Sequence, residues 1–270
     1  LGPDLDGPGG IVGWAQQAWK LSGTPIPNDP LDIYPFLRFT GCMPLRKGAF
    51  TKRYFHSRKT TYGSKQFCRE DMLPELQALI NNNAIRRTKK DIGVQLPPIF
   101  LTSTLLDGDG SALRALLSEH PGLEASIVRA IEQGSLALSF DDAQHVATLR
   151  RLIGHAKTLP YGKMLLEELR SGATDKRVVF GVHKAALSGL RDYLARNGIH
   201  AVLVNGDTPE KLRAASVDSF QEDPDCRVFI GNIRAAGVGI TLTAACEIDL
   251  LESDWGPAGN AQAIMRVHRI

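Results

Sequence analysis

The clearest hydrophobic pattern lies in the last third of the chain. Val178–Val182 is a short β-branched run, after which Leu187, Leu190 and Leu194 fall at helical spacing and Asn197-Gly198 reads as a helix stop. Ala201–Val204 predicts a second strand, leading into the turn Asn205-Gly206-Asp207. Thr208 is expected to cap the next helix, with Pro209 at its first position and Leu212, Ala215 and Phe220 on its buried face. Arg227–Ile230 and Ile248–Leu251 predict two more strands, and Pro257 opens a last helix running toward His268. Strands separated by helix-length segments predict an α/β fold with a parallel sheet covered on both faces.

Upstream the texture changes. Asp29 can cap a helix with Pro30 at its first position; Leu31, Ile33, Phe36 and Leu37 give it apolar bulk, and Pro35 is expected to bend or restart it. Leu73, Leu76 and Ile80 sit at helical spacing, as do Leu113, Leu116 and Leu117, while Asp107–Ser111 makes a surface turn. Three segments are therefore expected: 1–40, a basic and mainly helical 41–160, and the α/β segment 161–270.

Composition changes this picture in one place. The net charge of the 270 residues is only +3, yet residues 46–90 hold twelve Lys/Arg against three Asp/Glu. Such a block attracts polyanions within about 10 Å at ordinary salt. Cys42, Cys68, Cys226 and Cys246 are far apart, so neither a zinc site nor a disulfide framework is expected, and no metal ligands are assigned. A reducing setting follows, cytoplasmic or nucleoid-associated in a bacterium, nuclear in a eukaryote. No apolar run approaches the ~20 residues of a membrane span.

In open α/β sheets the reactive groups lie at the carboxyl ends of the strands. Those ends carry His183-Lys184, Gly206-Asp207-Thr208, Asn232–Gly239 and Ser253-Asp254-Trp255. On the last expected helix Gln262, Arg266 and Arg269 are at i, i+4 and i+7 and share a face. Two guanidiniums together call for an anion between them, and a triphosphate fits. Gly237 and Gly239 suit close backbone approach to a ligand, or equally close packing of a helix on a strand.

Six segments then occur in order: LSGTPIPNDP (21–30), IRRTKKDIGVQLPP (85–98), RVVFGVHKAAL (177–187), NGDTPEKLR (205–213), AAGVGITLTAA (235–245) and SDWGPAGNAQAIMRVHRI (253–270). Together they resemble the Swi/Snf-type branch of the superfamily-two helicase-like, DNA-dependent ATPases, and residues 147–157 are more similar to its annealing-helicase members. The resemblance implies RecA-like lobes, with 1–40 the tail of a first lobe and 161–270 the second, helicase C-terminal, lobe. It implies that Ser22, Gly23 and Thr24 couple nucleotide state to DNA grip, and that His183 and Lys184 lie near the DNA track. It places Gly206, Thr208 and Arg213 against the nucleic-acid backbone, and Gly237, Gly239 and Thr241 between DNA and nucleotide. Trp255 would couple the lobes; Arg86, Arg87 and Lys89 would face DNA from the connecting segment. Gln262, Arg266 and Arg269 would meet ATP held by the other lobe, the two arginines as fingers.

Two departures stand out. Met265 replaces a usual acidic residue, and Arg234 a small or polar one. A larger one is that the chain contains no GxxxxGK[ST] loop and no Asp-Glu dipeptide, the elements that grip ATP and hold Mg²⁺. Both precede LSGTP in the family. The expectation is a chain that starts after them, depends on an N-terminal RecA-like lobe and hydrolyses no ATP alone; with most of that lobe's sheet missing, Leu21, Ile33, Phe36 and Leu37 are expected to lose their packing partners. A non-catalytic DNA-binding module is the alternative. An unrelated nucleotide-binding domain would need a glycine-rich loop after the first strand, where Val182-His183-Lys184 stands.

Overall fold

The computed structural model describes residues 19, 21–23, 25–26, 29–60, 63–87, 91, 93, 95–132, 140–237 and 239–269. The chain forms two compact units, Leu1–Gln95 and Leu96–Ile270. That division differs from the borders expected at 40/41 and 160/161; one continuous helix, Phe140–Ser171, runs across the second of them.

In the first unit Asp29 caps a 3-10 turn, Pro30–Ile33, accepting from the Leu31 amide at 2.8 Å, and Pro35 restarts the chain as helix α1 (Tyr34–Phe39). Helix α2 (Lys47–Tyr54) leads into an antiparallel hairpin of β1 (Phe55–Thr60) and β2 (Gly63–Cys68), and helix α3 (Leu73–Asn83) follows. The hairpin is a sheet element within a segment whose other regular elements are helices. Its strands carry one large apolar residue each, so neither shows the alternation that marks a half-buried strand.

Ile33, Leu37, Met43, Phe50, Tyr54, Phe55 and Leu76 form one buried cluster. This corrects the expectation that Ile33, Phe36 and Leu37 have lost their packing partners: Ile33 and Leu37 are buried, and Phe36 packs against the same cluster. Leu21 alone of that set is exposed.

The second unit begins with an irregular stretch and two helices, α4 (Ser111–Glu119) and α5 (Leu123–Glu132), against the long helix α6 (Phe140–Ser171). Pro160 lies inside α6 and has no N–H for the carbonyl of Ala156. Gly108 passes close to that carbonyl; a Cβ there would come within 2.7 Å of it. Then β3 (Arg177–Gly181), α7 (Lys184–Arg196), β4 (His200–Val204), α8 (Glu210–Glu222), β5 (Cys226–Asn232), the short α9 (Ile233–Ala236), β6 (Glu247–Leu250) and α10 (Pro257–Ile264) complete the fold.

The four strands form a wholly parallel sheet in the order β4-β5-β3-β6. Every residue of β3 is buried, as a central strand covered on both faces requires. Pleating sends Val178 and Phe180 to one face, with Phe220 of α8 and Ala263 of α10; Val179 goes to the other, with Leu165 of α6 and Leu187, Leu190 and Leu194 of α7. α7 stops where expected: Gly198 takes φ +77° and the Ile199 amide returns to the Leu194 carbonyl at 3.0 Å. At the amino end of the sheet Arg177 is ringed by Glu168, Glu247 and Asp249 at 2.7, 2.9 and 3.2 Å, which leaves the opposite rim for other chemistry.

Two local expectations fail. α8 begins at Glu210 with no side-chain cap, because the Thr208 hydroxyl is spent on the Asn205 amide (3.0 Å), closing the preceding turn. On α8 Leu212 and Ala215 are exposed, and of the expected trio only Phe220 is buried.

Phe50 is fully buried at the centre of the first unit's cluster, with the rings of Tyr34, Tyr54 and Phe55 tilted against it at centroid distances of 5.0, 4.9 and 5.6 Å. Phe50→Ala should cost that unit about 3–5 kcal/mol. Hydrogen exchange is the measurement: backbone amides of Tyr34–Phe39 should lose protection in the variant while β3 keeps its own, and unchanged protection of α1 would contradict the packing described.

Candidate functional site

The carboxyl ends of the four strands are tied to one another by polar side chains. At the end of β3 the backbone turns outward, and the amides of Val182 and His183 both donate to Glu252 Oε2, at 3.0 and 2.8 Å. Glu252 follows β6 and is buried; its other oxygen meets His183 Nδ1 at 2.5 Å. Three donors around one carboxylate offset the cost of burying it. The space is made by two glycines: a Cβ at Gly154 of α6 would overlap the carboxylate, and one at Gly181 would press on it at 3.2 Å. Nothing in the sequence reading singled out Glu252. An acidic residue just past a strand resembles a solvated turn residue, and its neighbours in space are far away in sequence.

Three further links bridge the rim. Lys184 Nζ pairs with both oxygens of Asp207 at 2.6 and 2.7 Å, joining the loops after β3 and β4 across the end of β5. Asn232, at the end of β5, donates to the Val182 carbonyl at 2.6 Å and accepts from the amides of Arg234 and Ala235, which starts α9. Arg234 pairs with Asp254 at 3.2 Å, so the residue that departs from the family pattern is the partner of one in the loop after β6. Burial pushes the Asp254 carboxyl up, but Arg234, the Trp255 amide and Arg150 outweigh it and hold it below the usual carboxylate range.

The Lys184–Asp207 pair is exposed on both sides, and such pairs contribute about 0–1 kcal/mol. An incoming anion can displace it cheaply. Gly206 beside it has ordinary φ and open space around its Cβ position, so the local fold does not demand glycine there. Arg213, on the first turn of α8, is half-buried, with its Nε shielded from water and unmatched by a protein acceptor. Trp255 is exposed and lies under Arg150 of α6, the guanidinium 4.3 Å from the ring centroid; Arg150 also donates to the Ser253 carbonyl. Asn260 of α10 exchanges two hydrogen bonds with the backbone of Asp254, which fixes the same loop from the other side.

The two arginines of the last segment are not on one helix face. α10 ends at Ile264, because the backbone turns so that the Arg266 carbonyl accepts from the Leu242 amide at 3.0 Å. Gln262 stays on α10, half-buried. Arg266 is buried and donates to the carbonyls of Gly237 (2.8 Å) and Ile240 (3.5 Å). Burial, and then the nearby charge of Arg269, lower its pKa from the usual arginine value. Arg269 is exposed and donates to the Met265 carbonyl and the Thr241 hydroxyl, both at 3.1 Å. The segment 237–241 and the chain end are thus held together by both arginines. Gly237 and Gly239 are required here by the fold itself: a Cβ at Gly237 would overlap the Ile233 carbonyl, and Gly239 takes φ +79°.

Ser22 and Gly23, like Arg86 and Arg87, are exposed residues of the first unit, whereas the rim belongs wholly to the second. Thr24 and Lys89 lie outside the described residues. Among the described residues no cluster of His, Cys, Asp and Glu has the makings of a metal site.

Because the folded pKa of Asp254 lies below that of an unfolded aspartate, about 3.9, its contribution to stability is fully present above that value and fades as pH falls through the folded one. The gap in urea midpoint between wild type and Asp254→Asn should therefore be constant from pH 7 to 5 and shrink below about pH 4. A gap that stays the same at pH 3 would contradict the pairing.

Comparison with known proteins matches the chain to two families. The family described as SNF2-related domain matches residues 14–107, and that described as helicase conserved C-terminal domain matches residues 161–270, which contain the parallel sheet and its rim. The SWI/SNF-related matrix-associated actin-dependent regulator of chromatin subfamily A-like protein 1 of Drosophila melanogaster is 28% identical over 95% of this chain and 33% of its own length. The DNA annealing helicase and endonuclease ZRANB3 of Mus musculus is 29% identical over 96% of this chain and 24% of its own. The chain thus spans about a quarter to a third of the length of the curated relatives it matches. A solved structure, the Sulfolobus solfataricus SWI2/SNF2 ATPase C-terminal domain, overlaps 54% of this chain and 70% of that one at 16% identity, with a TM-score of 0.41. The chain thus carries an SNF2-related domain followed by a helicase conserved C-terminal domain, the pair of domains found in Swi/Snf-type helicase-like proteins.

Proposed function

We propose that the chain is part of an ATP-dependent DNA translocase, in which it supplies the second RecA-like lobe: a rim that tracks the DNA backbone and an arginine that reaches ATP held by an N-terminal lobe. The observation that carries this reading is Arg269. Its guanidinium is exposed at the rim, and among the described residues it is held by a hydroxyl and a carbonyl. Both acceptors are uncharged, whereas phosphate oxygens are ionised and match the guanidinium fork bidentately, which makes their bonds to it stronger. Exchange of Thr241 and Met265 for phosphate oxygens is therefore downhill.

Arg266 has a different task in this reading. Its guanidinium is committed to the Gly237 and Ile240 carbonyls, so it positions segment 237–241 against the chain end. It reaches phosphate only if that segment moves. Gln262 adds a neutral donor on α10. Residues present thus fit the phosphate end of a nucleotide. They do not fit Mg²⁺, since no carboxylate cluster suited to it occurs among the described residues; ATP and its Mg²⁺ are assigned mainly to the other lobe.

On the DNA side His183, Lys184, Gly206, Thr208, Arg213 and Thr241 are the proposed backbone contacts of the rim. In the first unit Arg86, Arg87 and Lys89 would add to them, and Ser22, Gly23 and Thr24 would respond to nucleotide state. Trp255, clamped under Arg150, would carry force between lobes. Binding through phosphates is salt-sensitive and largely indifferent to sequence. No helix among the described residues is long and apolar enough to cross a membrane, and a DNA-associated location, nuclear or nucleoid, accompanies this role.

DNA-stimulated ATPase of the protein with its first lobe restored is the test. Arg269→Ala should lower turnover by about 10³-fold or more, the range of arginine fingers, and leave the melting temperature of the chain unchanged. Arg266→Ala should lower both. Turnover of Arg269→Ala within about threefold of wild type would overturn the assignment, and a chain that binds duplex yet never supports turnover with the lobe restored would favour a non-catalytic DNA-binding module.

A further inference from the structure

The basic block has a structure of its own. Residues 46–69 carry eight Lys/Arg and no Asp or Glu. Helix α2 and the β1–β2 hairpin concentrate them, yet the cations are not treated alike. Arg53 is forked onto Glu75 and Arg69 onto Asp71, carboxylates that both lie beyond the hairpin. Among the described residues Arg58, exposed in the middle of β1, has no carboxylate partner.

What Arg58 has is an aromatic shelf. Its guanidinium lies 5.5 Å from the centroid of the Phe67 ring, and the ring of His56 stacks on that same phenyl at 5.8 Å and 21°. The antiparallel register explains the grouping: His56 is opposite Phe67, and Arg58 opposite Lys65, on alternate positions that share one side of the hairpin. Like charges at directly opposed positions destabilise a strand pair. The other side is committed at its base, where Phe55 enters the first unit's core. A two-stranded ribbon that presents an exposed guanidinium over an aromatic shelf, with no acidic residue in the segment, is complementary to a polyphosphate backbone.

We propose that the β1–β2 hairpin is a separate DNA contact, in which Arg58, placed over the Phe67 ring, donates to a backbone phosphate. The proposal rests on the reading of the chain as part of a DNA motor, but it does not involve the rim or the arginine assigned to ATP. Contact with the ring restricts the side chain, so less conformational freedom is lost when the guanidinium bonds to a phosphate. The contact reads no base.

Fluorescence anisotropy of the whole chain with labelled duplex and single-stranded DNA, titrated across salt, tests it. Arg58→Gln should weaken duplex binding about five- to tenfold at low salt and reduce the slope of log K against log salt by about one. Lys163→Gln, an equal loss of charge on α6, should change neither, and Arg58→Lys should keep the slope. Circular dichroism should give Arg58→Gln the wild-type melting curve, since the residue is exposed. Wild-type affinity and slope in Arg58→Gln would overturn the hairpin contact and leave the motor reading to be judged by turnover. Absence of DNA binding by the whole chain at low salt would overturn it as well. A loss confined to single strands with an unchanged slope would mean base stacking, and would overturn the phosphate assignment.

Discussion

The buried carboxylate of Glu252 is the constraint on which the rim depends. A charge in that position would be costly without partners, by several kcal/mol even after relaxation. Here two consecutive amides at the exit of β3 and the His183 ring meet it. The requirement works in both directions. Glu252 fixes the path by which the chain leaves β3, and that path is what brings His183 and Lys184 to the edge. Gly154 and Gly181 are the sequence-level consequence, since neither could carry a side chain beside that carboxylate.

From this anchor the other strand ends follow in order. Asn232 reaches the Val182 carbonyl and so ties β5 to the same exit, and through its cap on α9 it sets the start of the segment that ends at Thr241. Arg234 on α9 joins Asp254, whose backbone is gripped by Asn260. The chain end is then bound to segment 237–241 by Arg266 and Arg269. One connected set of polar contacts runs from β3 to the last residues. Within it the exposed, weakly held members, Lys184 and Arg269, are the ones available to an anion; the buried members, Glu252 and Arg266, hold position. Burial thus separates binding from scaffolding more sharply than residue type does.

Much of the second unit was legible in sequence because its strands are short β-branched runs between turn residues, and because Asn197-Gly198 has one common use. The family resemblance rested in part on residues at strand ends of the second unit, which lie along one edge of its parallel sheet. What escaped has physical reasons. The spacing of Gln262, Arg266 and Arg269 says which residues would share a face if the helix continued, but not where a backbone bond to Leu242 stops it. Thr208 has the identity of a cap, and only the competing bond to Asn205 reveals its use. The hairpin escaped because Phe55–Thr60 is held by its partner strand and by one buried phenyl rather than by an amphipathic pattern. Ile33 and Leu37 were read as orphans because Phe50 and Leu76, which cover them, are distant in sequence.

In the proposed motor, Arg269 serves charge developing on phosphate rather than the bound nucleotide at rest. Affinity for a transition-state mimic separates these directly. With the first lobe restored, Arg269→Ala should weaken binding of ADP with aluminium fluoride by about 100-fold or more while ADP alone stays within about threefold. Equal losses for the two ligands, or none for the fluoride complex, would contradict the account.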